Sequence, residues 1–412
     1  LLARVIGGHW GLAPRIGRLA LAGDIEAYNF PQGVICHLLR DIAAGRPGCI
    51  TAVGLGTFID PIHQGGRLNS RSTAEMVSRI EIDGRDWLFY RALPVHVGLI
   101  RATAADVHGN LLMDEEAIVG EVLAIAQAVH NSGGTVIAQV RSLLPHAAPP
   151  MSVKVPGVLV DRVVVAAPGQ HDQTFAERDN PAYYRAAERE GPGRWPELPA
   201  GPRRIIASRA CDELKPGAIA NLGIGTPEGV ALIAAERGLL GEVTLTVESG
   251  PIGGVPAGGL SFGASSHPQA IVDQPSQFDF YDGGGLDFAA LGAAEIDRRG
   301  NVNVSRFGDR LAGVGGFVNI SQNARRVVFC GTLTSDGLEV EVARGRLRIV
   351  REGRVRKFVA DVAQLSYAAD VARRKGQEAL YVTERAVFRL ADEGLELLEV
   401  APGHHVACHK VD

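Results

Sequence analysis

The stretch EEAIVGEVLAIAQAVHNSGGTVIAQV (residues 115–140) sets a helix directly before a strand. Ile118, Val122, Leu123, Ala126 and Val129 recur at helical spacing and predict one apolar face. Gly133 and Gly134 end that helix, and TVIAQV (135–140) is an apolar run of strand length. Upstream, GVICHLLRDIAAG (33–45) repeats the helical pattern through Val34, Ile35, Leu38, Leu39 and Ile42 and stops at Gly45. ITAVGLGT (50–57) follows as a buried strand running into a glycine turn. Alternating helices and strands predict an α/β domain with a largely parallel sheet.

The rhythm restarts further on. RRIIASRACDEL (203–214) is amphipathic, with Ile205, Ile206 and Ala210 inward; Pro216-Gly217 turns the chain into strand AIANL (218–222). The turn GIGTPEG (223–229) leads to helix GVALIAAERG (229–238), with Thr226 placed to N-cap and Pro227 suited to the first helical position. Two short patterns recur in the same order in both halves. Gly54-Leu55-Gly56-Thr57 matches Gly223-Ile224-Gly225-Thr226, and Asp106-Val107-His108-Gly109-Asn110 matches Asp297-Arg298-Arg299-Gly300-Asn301. A duplicated α/β unit is therefore expected: residues 1–176, a Pro- and Gly-rich charged linker over 177–202, and residues 203–412. LEVEVARGRLRIVREGRVRKFV (338–359) and LYVTERAVFRLADEGLELLEV (380–400) alternate apolar and polar residues around glycine turns, which predicts antiparallel hairpins.

Composition narrows the function. The 412 residues exceed one ordinary core, and 46% hydrophobic content argues against disorder. A net charge of -4 gives no basic excess to meet nucleic-acid phosphates, and no apolar run reaches bilayer length. The five cysteines (Cys36, Cys49, Cys211, Cys330 and Cys408) are scattered without metal-ligand spacing and read as buried, reduced thiols of a cytoplasmic protein. His404, His405, Cys408 and His409 invite a metal reading, but no supporting carboxylate pattern accompanies them and an irregular tail is expected. Residue 1 is Leu and LLARVIGG reads like the inside of a domain, so further chain is expected ahead of it.

Three glycine-bearing stretches carry candidate chemistry. In GIGTPEG, free N–H groups at a helix start suit an anion such as phosphate, which nominates Gly223 and Gly225; a plain tight turn explains the same residues. Strand EVTLTV (242–247) delivers Glu248, and Gly253-Gly254-Val255-Pro256-Ala257-Gly258-Gly259 follows. An acid at a strand end facing glycines is well placed for chemistry, with a solvated turn carboxylate as the alternative. DQPSQFDFYDGGG (273–285) is dense in polar groups, and its acids read mostly as turn and cap residues. Gly313-Val314-Gly315-Gly316-Phe317 forms the third glycine loop, ahead of strand RVVFCGTL (326–333). His9 and Trp10 in RVIGGHWG read as a hydrogen-bonded histidine and a packed aromatic; His267 and Ser249 are poor candidates for base and nucleophile.

TVESGPIGGVPAGG, DQPSQFDFYDGGGLD, DRRGNVNVSRFG, GVGGFVNISQNA and VTERAVF together resemble the family I CoA-transferases. The fused, single-chain acetate or propionate type, related to the 3-oxoacid CoA-transferases, is the nearest subgroup. The likeness runs from RVIGGHWG to ELLEVAPG, almost the whole chain. It implies two homologous α/β domains, Glu248 as nucleophile, and the 253–259 loop as CoA-binding, with Gly253, Gly254, Pro256, Ala257, Gly258 and Gly259 as its candidates. Gly315 and Gly316 are the candidates beside the acyl group. CoA is then a substrate and no cofactor is permanently bound. The partners implied are acyl-CoA and short-chain carboxylic acids, as in short-chain fatty acid and ketone-body metabolism, and a homo-oligomer is expected. The family's usual first strands, with a glutamine associated with the oxyanion hole, have no counterpart in this sequence, and the tail departs from the family's ending.

Three other readings compete. An acyl-CoA hydrolase would use the same glutamyl thioester with water as acceptor. A non-catalytic ligand-binding relative would keep the fold without the chemistry. A nicotinamide-dependent dehydrogenase built on Gly223-Ile224-Gly225 fails on glycine spacing, the third glycine falling one residue late.

Overall fold

The computed structural model describes residues 2–186 and 197–403. Its helices are α1 (Pro14–Ala22), α2 (Gln32–Ala43), α3 (Val122–Asn131), α4 (Pro202–Cys211), α5 (Gly229–Glu236), α6 (Gln274–Asp282), α7 (Phe317–Asn323) and α8 (Ala369–Lys375). The tail residues His404, His405, Cys408 and His409 lie outside the described residues. Among the described residues no helix is long and apolar enough to cross a membrane.

In the second half, strands Thr244–Thr246, Ile219–Leu222, Phe288–Gly292, Arg326–Cys330 and Glu378–Val382 lie side by side and all parallel. Short antiparallel strands extend one edge, and the hairpin Ala386–Ala391 with Gly394–Val400 extends the other. Helices cover both faces, which is why these strands read as unbroken apolar runs. Along Phe288–Gly292 the side chains alternate between two cores. Phe288 and Ala290 pack with Ile206 and Val230 of α4 and α5; Ala289 and Leu291 pack with Phe278, Tyr281 and Ile320 of α6 and α7. The inward face of α4 is Ile206, Ala207, Ala210 and Cys211, while Ile205 is only half-buried.

The first half is more mixed. Val97–Ala105, Thr135–Leu143 and Arg162–Val165 are parallel, two short antiparallel strands flank them, and Gly48–Thr51, Arg85–Arg91 and Val77–Ile82 form a separate antiparallel sheet. Helix α3 seats Val122, Ala126 and Val129 on Ile100, Ala102, Val136 and Ala138. It begins at Val122, not at the acids ahead of it: Gly120 has a φ of +63°, so Ile118 lies in irregular chain ahead of the helix rather than on its face. The strand within ITAVGLGT likewise ends at Thr51, before the turns at Gly54 and Gly56. The hairpin Glu339–Ala343 with Arg346–Arg351 forms as expected.

The repeated Asp–Gly–Asn pattern folds identically in both halves. Asp106 accepts the backbone N–H groups of His108 (2.8 Å) and Asn110 (2.9 Å) and the Asn110 side chain (3.0 Å). Asp297 accepts those of Arg299 (2.9 Å) and Asn301 (3.0 Å) and the Asn301 side chain (2.9 Å). The glycine third along is left-handed in each, with φ +77° at Gly109 and +88° at Gly300. The two halves share a core where Val314 and Val318 of the second half pack with Tyr28, Phe30 and Val34 of the first. Cys36, Cys49, Cys211 and Cys330 are buried free thiols.

Candidate active site

Glu248 stands two residues past the parallel strand Thr244–Thr246, in a tight turn closed by Gly250 N–H donating to Val247 O at 3.0 Å. Gly250 is obligatory there. Its φ is +126°, and a β-carbon would fall 2.1 Å from the Val272 carbonyl oxygen. The turn thrusts the Glu248 side chain off the end of the sheet, where parallel sheets form their sites.

The Glu248 residue is half-buried and its carboxylate closely surrounded. Desolvation raises its pKa, and hydrogen bonds from its own backbone and from Asn221 only partly oppose that. Asn221 lies on the neighbouring strand Ile219–Leu222. Its Nδ2 donates to Thr246 O (3.2 Å) and reaches Glu248 Oε2 and Tyr281 Oη, each at 3.4 Å. Tyr281 donates to Thr246 Oγ1 at 2.7 Å, and Thr246 Oγ1 to Ala220 O at 3.0 Å, so this floor is locked by a hydroxyl relay. The Oδ1 of Asn221 and the Nε2 of Gln277 are buried without a partner beneath the same site. Asn221, Thr246, Gln277 and Tyr281 were not singled out from sequence. Asn221 is hidden inside a strand, and only the folded register of two strands shows that it faces the acid.

Gly316 forms the opposite wall, contacting Glu248 where its side chain would be. Gly315 adopts φ +50°, and its N–H donates to Gly8 O at 2.9 Å. That bond, with Trp10 N–H to Ala312 O (2.7 Å), docks the GGHWG stretch of the first half on the third glycine loop. Asn29 reinforces the joint, accepting from Val314 N–H (3.0 Å) and donating to the carbonyls of Gly7 and Gly8 (2.7 Å each). Trp10 is the packed aromatic expected, its Nε1 donating to Gly7 O at 3.1 Å; His9 is exposed at the site edge and bridges Gly313 through backbone.

The other two glycine stretches lie together. A β-carbon on Gly258 would contact the Glu228 carboxylate at 3.4 Å, so the 253–259 loop meets the GIGTPEG turn there. Gly223 N–H is tied to Ala290 O (2.8 Å), and Gly225 O accepts from Arg203 (2.8 Å). Gly253 and Gly254 are left-handed (φ +75° and +68°) and reverse the chain into Val255–Pro256, which pairs with Ser265–Ser266. Ala257 N–H bonds to Ala264 O (2.9 Å), and Gly259 is left-handed with open space beside it. Thr226 does not cap α5 with its side chain. Its carbonyl takes the Gly229 N–H in a turn that precedes the helix. Asp273 does cap, accepting from Ser276 N–H at the start of α6. Ser249 donates its hydroxyl to Gly263 O and is a structural tie. His267 is exposed, against Arg185 O.

Comparison of the whole chain with known proteins shows its family. Residues 2–166 fit the sequence pattern of the coenzyme A transferases. The acetate CoA-transferase YdiF of Escherichia coli O157:H7 is 43% identical over 397 residues, 96% of this chain and 74% of that protein. The caffeate CoA-transferase of Acetobacterium woodii is 43% identical over 413 residues, 98% of this chain and 78% of that one. The crystal structure of the E. coli acyl-CoA transferase YdiF as a thioester complex with CoA superposes with a TM-score of 0.90 at 42% identity, covering 98% of this chain and 76% of that one. The chain belongs to the coenzyme A transferase family. It is a CoA-transferase of the fused, single-chain kind, with CoA as a substrate.

Proposed function

We propose that this chain moves CoA from a short-chain acyl-CoA to another carboxylic acid in a ping-pong cycle, with Glu248 as the covalent carrier. The observation that carries the reading is the Glu248 carboxylate, thrust from a strand end between Asn221 and the bare face of Gly316. The thioester complex of the YdiF relative supports it.

The Glu248 carboxylate attacks the thioester carbonyl, the C–S bond breaks, and CoA thiolate leaves a mixed anhydride. The thiolate attacks the glutamyl carbonyl, the anhydride C–O bond breaks, and the first acid departs as carboxylate, leaving glutamyl-CoA. A second carboxylate reverses both steps and frees Glu248. One difficult exchange is thereby divided into easier ones, with no net proton consumed. A partly desolvated carboxylate is the better nucleophile for losing some of its hydration before attack. Each attack creates an oxyanion that needs a pre-set donor. Gly315 N–H is engaged by Gly8, which leaves Gly316 the better placed of the two candidates. The 253–259 loop and the 223–229 turn hold CoA away from the reacting carbon, and that remote binding energy is spent in the transition state. The units 1–176 and 203–412 are the two domains of this reading, working as a cytoplasmic homo-oligomer.

Acyl-CoA given without acceptor acid should leave CoA on one peptide, releasable by hydroxylamine. An adduct mapped anywhere but Glu248 would overturn the assignment. Turnover that needs an acceptor acid separates transfer from hydrolysis.

A further inference from the structure

The 253–261 loop does not stand on its own unit alone. Behind it runs the segment 172–185, from the end of the first unit into the stretch that reads as linker. Its Glu177 carboxylate accepts the Ser261 hydroxyl at 2.6 Å, the Asn180 amide at 2.9 Å, and the Tyr183 hydroxyl. Ser261 has one proton and gives it to Glu177, so Thr174 Oγ1, 2.9 Å from Ser261 Oγ, is the donor of that second contact. His267 N–H donates to Ala182 O at 2.6 Å. The Tyr183 ring packs with Ala264 and Ala257 of the second unit and Ala117 of the first. At its far end the segment is pinned to the first unit: Arg101 donates to Asp172 O (2.6 Å) and Gln173 to Glu115 O (3.0 Å). Ser261 is 5% exposed while Leu260 beside it is 58% exposed. The tie therefore lies behind the loop and leaves its outer edge open to a ligand.

We propose that residues 172–185 are a strap that holds the CoA loop in its ligand-ready shape, with Glu177 as the positioning residue. This rests on the reading of residues 253–259 as the CoA loop. Hydrogen bonds from Ser261 and Tyr183 keep the Glu177 carboxyl below its usual range, so the tie persists through neutral pH. Glu177 touches neither CoA nor the reacting atoms. Its loss lets the loop sample other conformations, and the fraction competent to bind falls.

The test is steady-state kinetics of Glu177→Gln, Ser261→Ala and the double variant in the full chain, with CoA affinity by calorimetry. Each single variant should raise the KM for acyl-CoA about tenfold and change kcat less than about twofold. The double variant should be no worse than the more impaired single one, since both remove the same tie. Thr174→Val, nearly isosteric, should weaken CoA binding in the same direction and serves if the Glu177 variant does not fold. Unchanged KM in these variants, kcat falling in step with kcat/KM, or additive losses in the double variant would overturn the strap. Gly258→Val separates the two levels. If it too leaves CoA affinity unchanged, the loop is not the CoA site and the underlying reading fails; if it weakens binding while the Glu177 and Thr174 variants do not, the strap alone fails.

Discussion

Gly316 faces Glu248 with room for no more than hydrogen: a β-carbon on Gly316 would stand 3.2 Å from Glu248 Cγ and 3.4 Å from Oε1. Gly316 has an ordinary φ of −81°, so only space, not backbone strain, opposes a side chain there. Gly316→Ala should fold normally, displace the carboxylate by a few tenths of an ångström, and lower kcat about tenfold. Circular dichroism and acyl-transfer rates measured together check this; a folded alanine variant at full rate would mean that the contact does not shape the reaction.

Asn221 ties the Glu248 carboxylate to the neighbouring strand. Asn221→Ala should reduce kcat by about 100-fold or more, the usual cost of losing a pre-set donor, while CoA still binds. Asn221→Asp should be worse, because a second carboxylate beside Glu248 disfavours its ionised form. The ordering wild type, Ala, Asp in transfer rate is the observable, and Asp outperforming Ala would contradict it.

Burial raises the pKa of Glu248. A carboxyl raised on folding makes the folded state bind more protons than the unfolded one, so stability falls as pH rises through the folded pKa. Glu248→Gln removes that cost. Its melting temperature should exceed wild type at pH 7–8, and the gap should close as pH falls below the ordinary glutamate range near about 4.3. Transfer should collapse in the same variant. Scanning calorimetry across pH reads the first effect, and a constant gap at every pH would exclude desolvation as its cause.

Gly250→Ala tests the turn that aims the acid. With φ +126° and a backbone oxygen 2.1 Å from the added carbon, the chain must shift. A loss of about 3 kcal/mol or more in urea unfolding is expected, together with loss of labelling at Glu248.

The fold was legible wherever one face or one run carried the signal. The parallel strands of the second half announced themselves as apolar runs because helices cover both of their faces. The repeated Asp–Gly–Asn motif was legible because its hydrogen bonds are local, closing within five residues. Helix α3 starts later than its periodicity predicts because Ile118 keeps the period while Gly120 breaks the backbone. Thr226 failed as a cap because the chain forms a turn first. The acid at position 248 could be nominated from its strand end and glycine neighbours. Gly316 was nominated through the family resemblance, but Asn221 and Tyr281 were not, since Asn221 reaches Glu248 only through the register of two strands and Tyr281 reaches Asn221 only through the packing of α6.

The docking of the GGHWG stretch on the third glycine loop bears on how the protein comes to life. Asn29 and Val314 are bonded across a sequence separation of 285 residues. Loop closure of that size is entropically costly and contributes to slow folding. On the ribosome, the wall behind Glu248 cannot be braced until nearly three hundred residues have emerged after Asn29. Helices and sheets should therefore be regained early in refolding, with reactivity toward acyl-CoA returning as a later, separate phase. A half-made chain would present Glu248 without the brace that Asn29 and the third glycine loop supply.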